Sequence, residues 1–165
     1  MNKNAKSLKI VIIRHGEKPA KGNNLDCQGL NRALALPPVL FKACGGAPNY
    51  TYVPKLVLGK KTDSARMFQT VTPFAVQYNL YIDTNYAETA TAALAKDLLK
   101  KNGVVLVVWE HKNIPPLAQK LGIKGKLKWK GSDFDSIWTI EFPNGTPTLT
   151  VSQEGLNPST DCPQA

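Results

Sequence analysis

The chain has 165 residues, 42% of them hydrophobic and 20% charged, and a formal net charge of +9. That length supports one domain with a substantial core, and its apolar runs are too short for a membrane-spanning helix. The basic surplus favours anionic partners such as phosphate esters or nucleic acid without choosing among them.

The predicted elements alternate between strands and helices. Residues 8–13, "LKIVII", form a short β-branched run suited to a central buried strand. This run ends in Arg14-His15-Gly16, followed by a polar loop, "EKPAKGNNLDCQG". "LNRALALPPVLFKAC" then carries apolar residues at helical spacing, with a break or restart expected at Pro37 and Pro38. "PKLVLGK" (54–60) is the second strand candidate. "DSARMFQTVTPFAVQYN" (63–79) reads as a helix with a kink or boundary at Pro73. "YAETATAALAKDLLKKN" (86–102) is the clearest helix, stopped by "KKNG". "VVLVVW" (104–109) is a second strongly buried strand. "NIPPLAQKLGI" opens a short helix near Pro115 or Pro116. "SIWTIEF" (136–142) and "PTLTVSQ" (147–153), with Asn144-Gly145 between them, predict an antiparallel hairpin. The tail "LNPSTDCPQA" is expected to be loosely held.

This order predicts an α/β fold: a three-layer α/β/α sandwich with a mainly parallel sheet and an antiparallel edge hairpin. No internal repeat or long linker divides it, so residues 1–165 read as one domain with its core at about 8–153. The three cysteines, Cys27, Cys44 and Cys162, have no close pair. The favoured reading is free thiols in a reducing compartment, with one disulfide between any two of them as the alternative, and the chain reads as cytoplasmic. No metal-ligand spacing is evident, and no cofactor is expected.

The chain holds only two histidines, and each follows an apolar run: His15 after "LKIVII", His111 after "VVLVVW". In open α/β sheets ligands bind beyond the carboxyl ends of strands, so the two can converge in space. A neutral imidazole can attack phosphorus, and a guanidinium offers forked donors to phosphate oxygens. Arg14 lies beside His15, and Arg66 near the start of a predicted helix. Together these are the parts of a phosphoryl-transfer pocket. The bland readings are that Arg32 is a helix-surface charge, that Trp109, Trp129 and Trp138 pack in the core or at its rim, and that Ser64 and Thr70 cap or support a helix. Lys120, Lys124, Lys126, Lys128 and Lys130 read as a solvated face; the sharper alternative is an anion-steering surface beside the site.

Four segments in order, "RHGEKP", "LDCQGLNRALAL", "DSARMFQT" and "VVLVVWEHKNIP", resemble the histidine phosphatase superfamily, also called phosphoglycerate mutase-like. The resemblance runs from about Leu8 to Phe142. It implies a metal-independent phosphatase with His15 as the nucleophile that becomes phosphohistidine. Arg14, Arg66 and His111 would bind the phosphoryl group and stabilise charge. The general acid is expected at Glu88, with Glu110 the alternative and Glu17 a weaker option. Asn23 or Asn24 could bind phosphate. The short segment between Arg66 and His111 argues against the mutase branch. The implied substrate is a phosphorylated small molecule or a phosphoprotein, phosphohistidine included. Membrane partners are not expected, and no nucleic-acid motif accompanies the charge. The competing expectation is a non-catalytic phosphate- or nucleic-acid-binding relic of the same fold. The oligomeric state is left open.

Overall fold

The computed structural model describes residues 7–164. Its sheet has six strands: β1 (Leu8–Arg14), β2 (Tyr50–Tyr52), β3 (Ile82–Asp83), β4 (Gly103–Trp109), β5 (Ser136–Glu141) and β6 (Thr148–Gln153). Four helices, α1 (Cys27–Cys44), α2 (Ala65–Gln77), α3 (Thr91–Leu98) and α4 (Ile114–Lys120), accompany them. The strand order is β3-β2-β4-β1-β5-β6. Strands β3, β2, β4 and β1 are parallel to one another, and β5 and β6 form the antiparallel edge. The expected α/β class and edge hairpin are therefore observed.

The alternation of side chains along a strand builds two cores from each central strand. Ile10 and Ile12 of β1, with Val105, Val107 and Trp109 of β4, pack against α3 and α4. Val11 and Ile13, with Leu106 and Val108, face the other way against α1 and α2. All nine side chains are fully buried. At about 1.5–3 kcal/mol for each buried branched side chain, these two strands anchor the fold. Trp109, Trp129 and Trp138 are all buried, as core packing requires.

Several local expectations are corrected. Helix α1 runs unbroken through Pro37 and Pro38, and Pro73 lies inside α2 and marks no boundary. In α1 the buried stripe of Ala33, Leu36 and Leu40 packs across the prolines, and tertiary burial outweighs the lost backbone bonds. Residues 54–60 form no strand beyond one isolated bridge, Val57 to Asp63. Val57 and Leu58 are exposed, Leu58 by 77%, and β2 lies just upstream. Helix α3 is shorter than the predicted 86–102, because Tyr86 and its neighbours form the approach to it. Strand β3 has only two residues and left no readable period.

The cysteine reading is also corrected. Cys27 and Cys162 form a disulfide, and Cys44 alone is a free, buried thiol, its pKa pushed up to about 11 by burial. The tail is not loosely held. It crosses the start of α1, where Asn31 Nδ2 donates to the carbonyls of Ser159 (2.9 Å) and Asp161 (2.6 Å). Among the described residues no helix is long and apolar enough to cross a membrane.

Candidate active site

Parallel pairing of β1 and β4 brings their carboxyl ends together, with Arg14 in register with Trp109. His15 and His111 therefore leave the sheet from adjacent strands. The His15 amide continues the ladder, donating to the Trp109 carbonyl at 3.3 Å.

His15 is 2% exposed. Its Nδ1 lies 2.6 Å from the Gly16 carbonyl oxygen. A carbonyl can only accept, so Nδ1 carries the proton and Nε2 keeps its lone pair. Burial, opposed by that bond and reinforced by Arg14, Arg66 and His111, depresses the His15 pKa to about 4. The imidazole is thus neutral at physiological pH, with Nε2 unprotonated.

Arg14 is equally buried. Its Nη1 donates to the carbonyls of Gly131 (2.7 Å) and Asp133 (3.1 Å). The Phe134 ring covers its guanidinium carbon at 3.8 Å and stands edge-on to His15 with centroids 6.1 Å apart. Burial lowers the Arg14 pKa to about 10, leaving it charged at neutrality. Its Nε is buried and has no hydrogen-bond partner among the described residues.

Arg66 is in the first turn of α2 and donates to the carbonyls of Asn24 (3.2 Å) and Gly22. Its charge reaches His15. Thr70, one turn on, accepts from the Gly16 amide at 2.9 Å and donates to the Arg66 carbonyl at 2.7 Å. The Arg-x-x-x-Thr spacing therefore ties α2 directly to the loop after His15. Asn24 faces α2 as well, accepting at Oδ1 from Gln69 at 2.8 Å. Gly16 and Gly29 let that loop press on α1: a Cβ on Gly16 would stand 2.8 Å from the Gly29 carbonyl, and one on Gly29 would run into the Glu17 backbone.

His111 is half-buried, and burial followed by the Arg14 charge lowers its pKa. Its Nδ1 lies 2.7 Å from Glu110 Oε1 without hydrogen-bond alignment. The other oxygen of Glu110 accepts from the Lys112 amide (2.9 Å) and Asn113 Nδ2 (3.3 Å), closing the turn into α4. Glu88 is half-buried; its carbonyl accepts from the Trp109 indole at 2.8 Å and its carboxylate from Ser64 at 3.5 Å.

Glu17 has a different task. Both its oxygens bind Arg32, at 2.8–3.1 Å. Arg32 is not a surface charge: it is 4% exposed and also contacts Asp135 at 3.0 Å and Glu154 at 2.5 Å. This cluster joins the loop after His15 to the loop that holds Arg14 and to the end of β6. Sequence reasoning missed Phe134, the Gly131 and Asp133 carbonyls and this cluster, because no local pattern links residues over a hundred positions apart.

A roomy apolar cavity of about 740 Å³ lies between the 19–27 loop and α2, lined by Leu25, Leu30, Phe68 and Pro73 among others. None of the four cationic and imidazole groups lines it.

No protein-family model matches the chain, and no curated protein matches it by sequence. Solved structures do match in three dimensions. The protein histidine phosphatase SixA, solved with tungstate, superposes with a TM-score of 0.61 at 16% identity, covering 88% of this chain and 97% of that one. A mycobacterial glucosyl-3-phosphoglycerate phosphatase, solved with inorganic phosphate, gives 0.58 at 12% identity over 90% and 96%. A phosphoglycerate mutase from Bacillus anthracis gives 0.57 at 14% identity over 90% and 94%. The chain therefore has the fold of the histidine phosphatase superfamily.

Proposed function

We propose that this protein is a phosphatase that acts through a phosphohistidine on His15. The observation that carries the reading is the state of His15: buried, neutral, with Nδ1 committed to Gly16 and Nε2 free. Around it stand Arg14, Arg66 and His111, each of which disfavours a proton on it. The unpartnered Nε of Arg14 is a donor that a phosphoryl oxygen would satisfy.

In this reading Nε2 of His15 attacks phosphorus in line as the bond to the leaving oxygen breaks. Arg14 and Arg66 neutralise charge on the equatorial oxygens, and the neutral imidazole of His111 supplies a hydrogen-bond donor to them. The leaving oxygen takes a proton from a carboxylic acid. Glu17 is held by Arg32 and Glu110 by its turn, which supports Glu88 as that acid. Water then attacks the phosphohistidine, releasing phosphate and restoring Nε2. None of these steps draws on a cofactor. The substrate is a phosphomonoester or a protein phosphohistidine. The Cys27–Cys162 bond supports an oxidising compartment rather than the cytoplasm expected from free thiols; thiol trapping in intact cells tests that placement.

The functional test is hydrolysis of an aryl phosphate in EDTA by the parent and by His15→Ala. Activity abolished by the substitution supports the mechanism. Activity that survives it sinks the assignment of His15, and tight phosphate binding without turnover would mark a non-catalytic relic.

A further inference from the structure

Residues 126–130 run without a turn from the bend at Gly125 to Gly131, whose carbonyl holds Arg14. A Cβ on Gly131 would lie 3.7 Å from His111 Nε2, so the segment ends against the site. Its alternation has a physical cause. Leu127 and Trp129 turn inward: Trp129 packs on Trp138 with centroids 5.1 Å apart, and its indole donates to the Asp133 carbonyl at 2.9 Å. Lys126, Lys128 and Lys130 are left exposed between them. At about 3.3 Å per residue the three lysines span roughly 13 Å, more than one phosphate needs.

Two more exposed lysines flank the site: Lys18, three residues past His15, and Lys112, next to His111. Among the described residues none of these five forms an ion pair. The nearby acids, by contrast, are turned into the protein. Glu17 binds Arg32, Glu110 closes its turn, and Asp133 accepts from the Ser136 hydroxyl at 2.5 Å and from the amides of Asp135 and Ser136. The strip therefore presents lysines whose charge no described carboxylate pairs.

We propose that this strip docks an extended acidic segment of a phosphoprotein while the phosphorylated residue enters the site. The inference rests on the phosphatase reading above. Nucleic acid is disfavoured because the aromatic ring within the strip, Trp129, is buried and offers no face to a base.

The test compares two phosphotyrosine peptides, one flanked by Asp and Glu and one by Asn and Gln, with p-nitrophenyl phosphate as the small substrate. Parent protein and the Lys126→Gln/Lys128→Gln variant are assayed at low and moderate salt. The expected result is a kcat/KM advantage of roughly tenfold for the acidic peptide at low salt, shrinking as salt rises. The variant should lose the advantage and hydrolyse p-nitrophenyl phosphate normally. Equal kcat/KM for the two peptides, or an advantage that the variant keeps, overturns the proposal. Fluorescence anisotropy of the acidic peptide without phosphate separates docking from catalysis. If no substrate is hydrolysed the phosphatase reading fails, yet binding lost in the variant still supports the docking strip. A single-stranded oligonucleotide of equal charge that binds more tightly than the peptide overturns it in favour of nucleic acid.

Discussion

Replacing Glu154 by Gln tests the electrostatics of the cluster that braces the site. One guanidinium, Arg32, faces three carboxylates, from Glu17, Asp135 and Glu154. Three negative charges around one positive charge in a buried place are unfavourable, and the most enclosed carboxyl is the one to keep its proton. That is Glu154, whose side chain has no exposed surface and whose Oε1 has no hydrogen-bond partner among the described residues. Burial, offset in part by Arg32 and reinforced by Asp135 and Glu17, raises its pKa from 4.5 to about 8. The native state thus holds this proton more tightly than the unfolded chain does. The resulting stability is complete below pH 4.5 and is lost as pH rises to about 8. From pH 6 to 8 the slope is near 1.4 kcal/mol per unit, flattening above, so the parent loses about 3 kcal/mol between pH 6 and 9 through this group. Gln resembles the protonated carboxyl and has nothing to lose. Urea denaturation of both proteins at pH 6 and pH 9 should show the stability difference, variant minus parent, growing by that amount. Other titrating groups act on both proteins and cancel. A difference that stays flat within about 1 kcal/mol across that range would refute the protonated-carboxyl account.

Further outcomes are expected elsewhere in the molecule. With His15 depressed to about 4, phosphatase rate should hold down to about pH 5 and fall as pH drops through 4, where Nε2 gains its proton; an acid limb centred near 6.5 in the kcat/KM profile would contradict the buried neutral imidazole. Gly29→Ala drives a Cβ into the Glu17 backbone and should cost about 1–3 kcal/mol in denaturant titration, with activity falling as the loop after His15 shifts. Cys162→Ser opens a link spanning 135 positions and should cost about 2–5 kcal/mol, and limited proteolysis should then cut the tail first.

The parts of the site legible in sequence were those set by local pattern. Two apolar runs marked β1 and β4, and residues placed directly after them, Arg14-His15 and His111, had to emerge at strand ends. Arg66 was readable through the resemblance of "DSARMFQT", whereas Thr70, read as capping or supporting its helix, also holds the Gly16 amide. The acid was less legible: Glu17, Glu88 and Glu110 were all open. The structure separates them by their partners, binding Glu17 to Arg32 and Glu110 to its own turn.

Sequence by itself determined the α/β class, the two central strands and the identity of the residues at their ends, because strand periodicity and burial are written in consecutive residues. Tertiary structure decided the rest. It carried α1 and α2 through their prolines, joined Cys27 to Cys162, buried Arg32 among three acids from distant positions and laid Phe134 over Arg14. Each of these depends on which surfaces meet once the sheet has formed, and contact between residues far apart in the chain leaves no period for a single sequence to display.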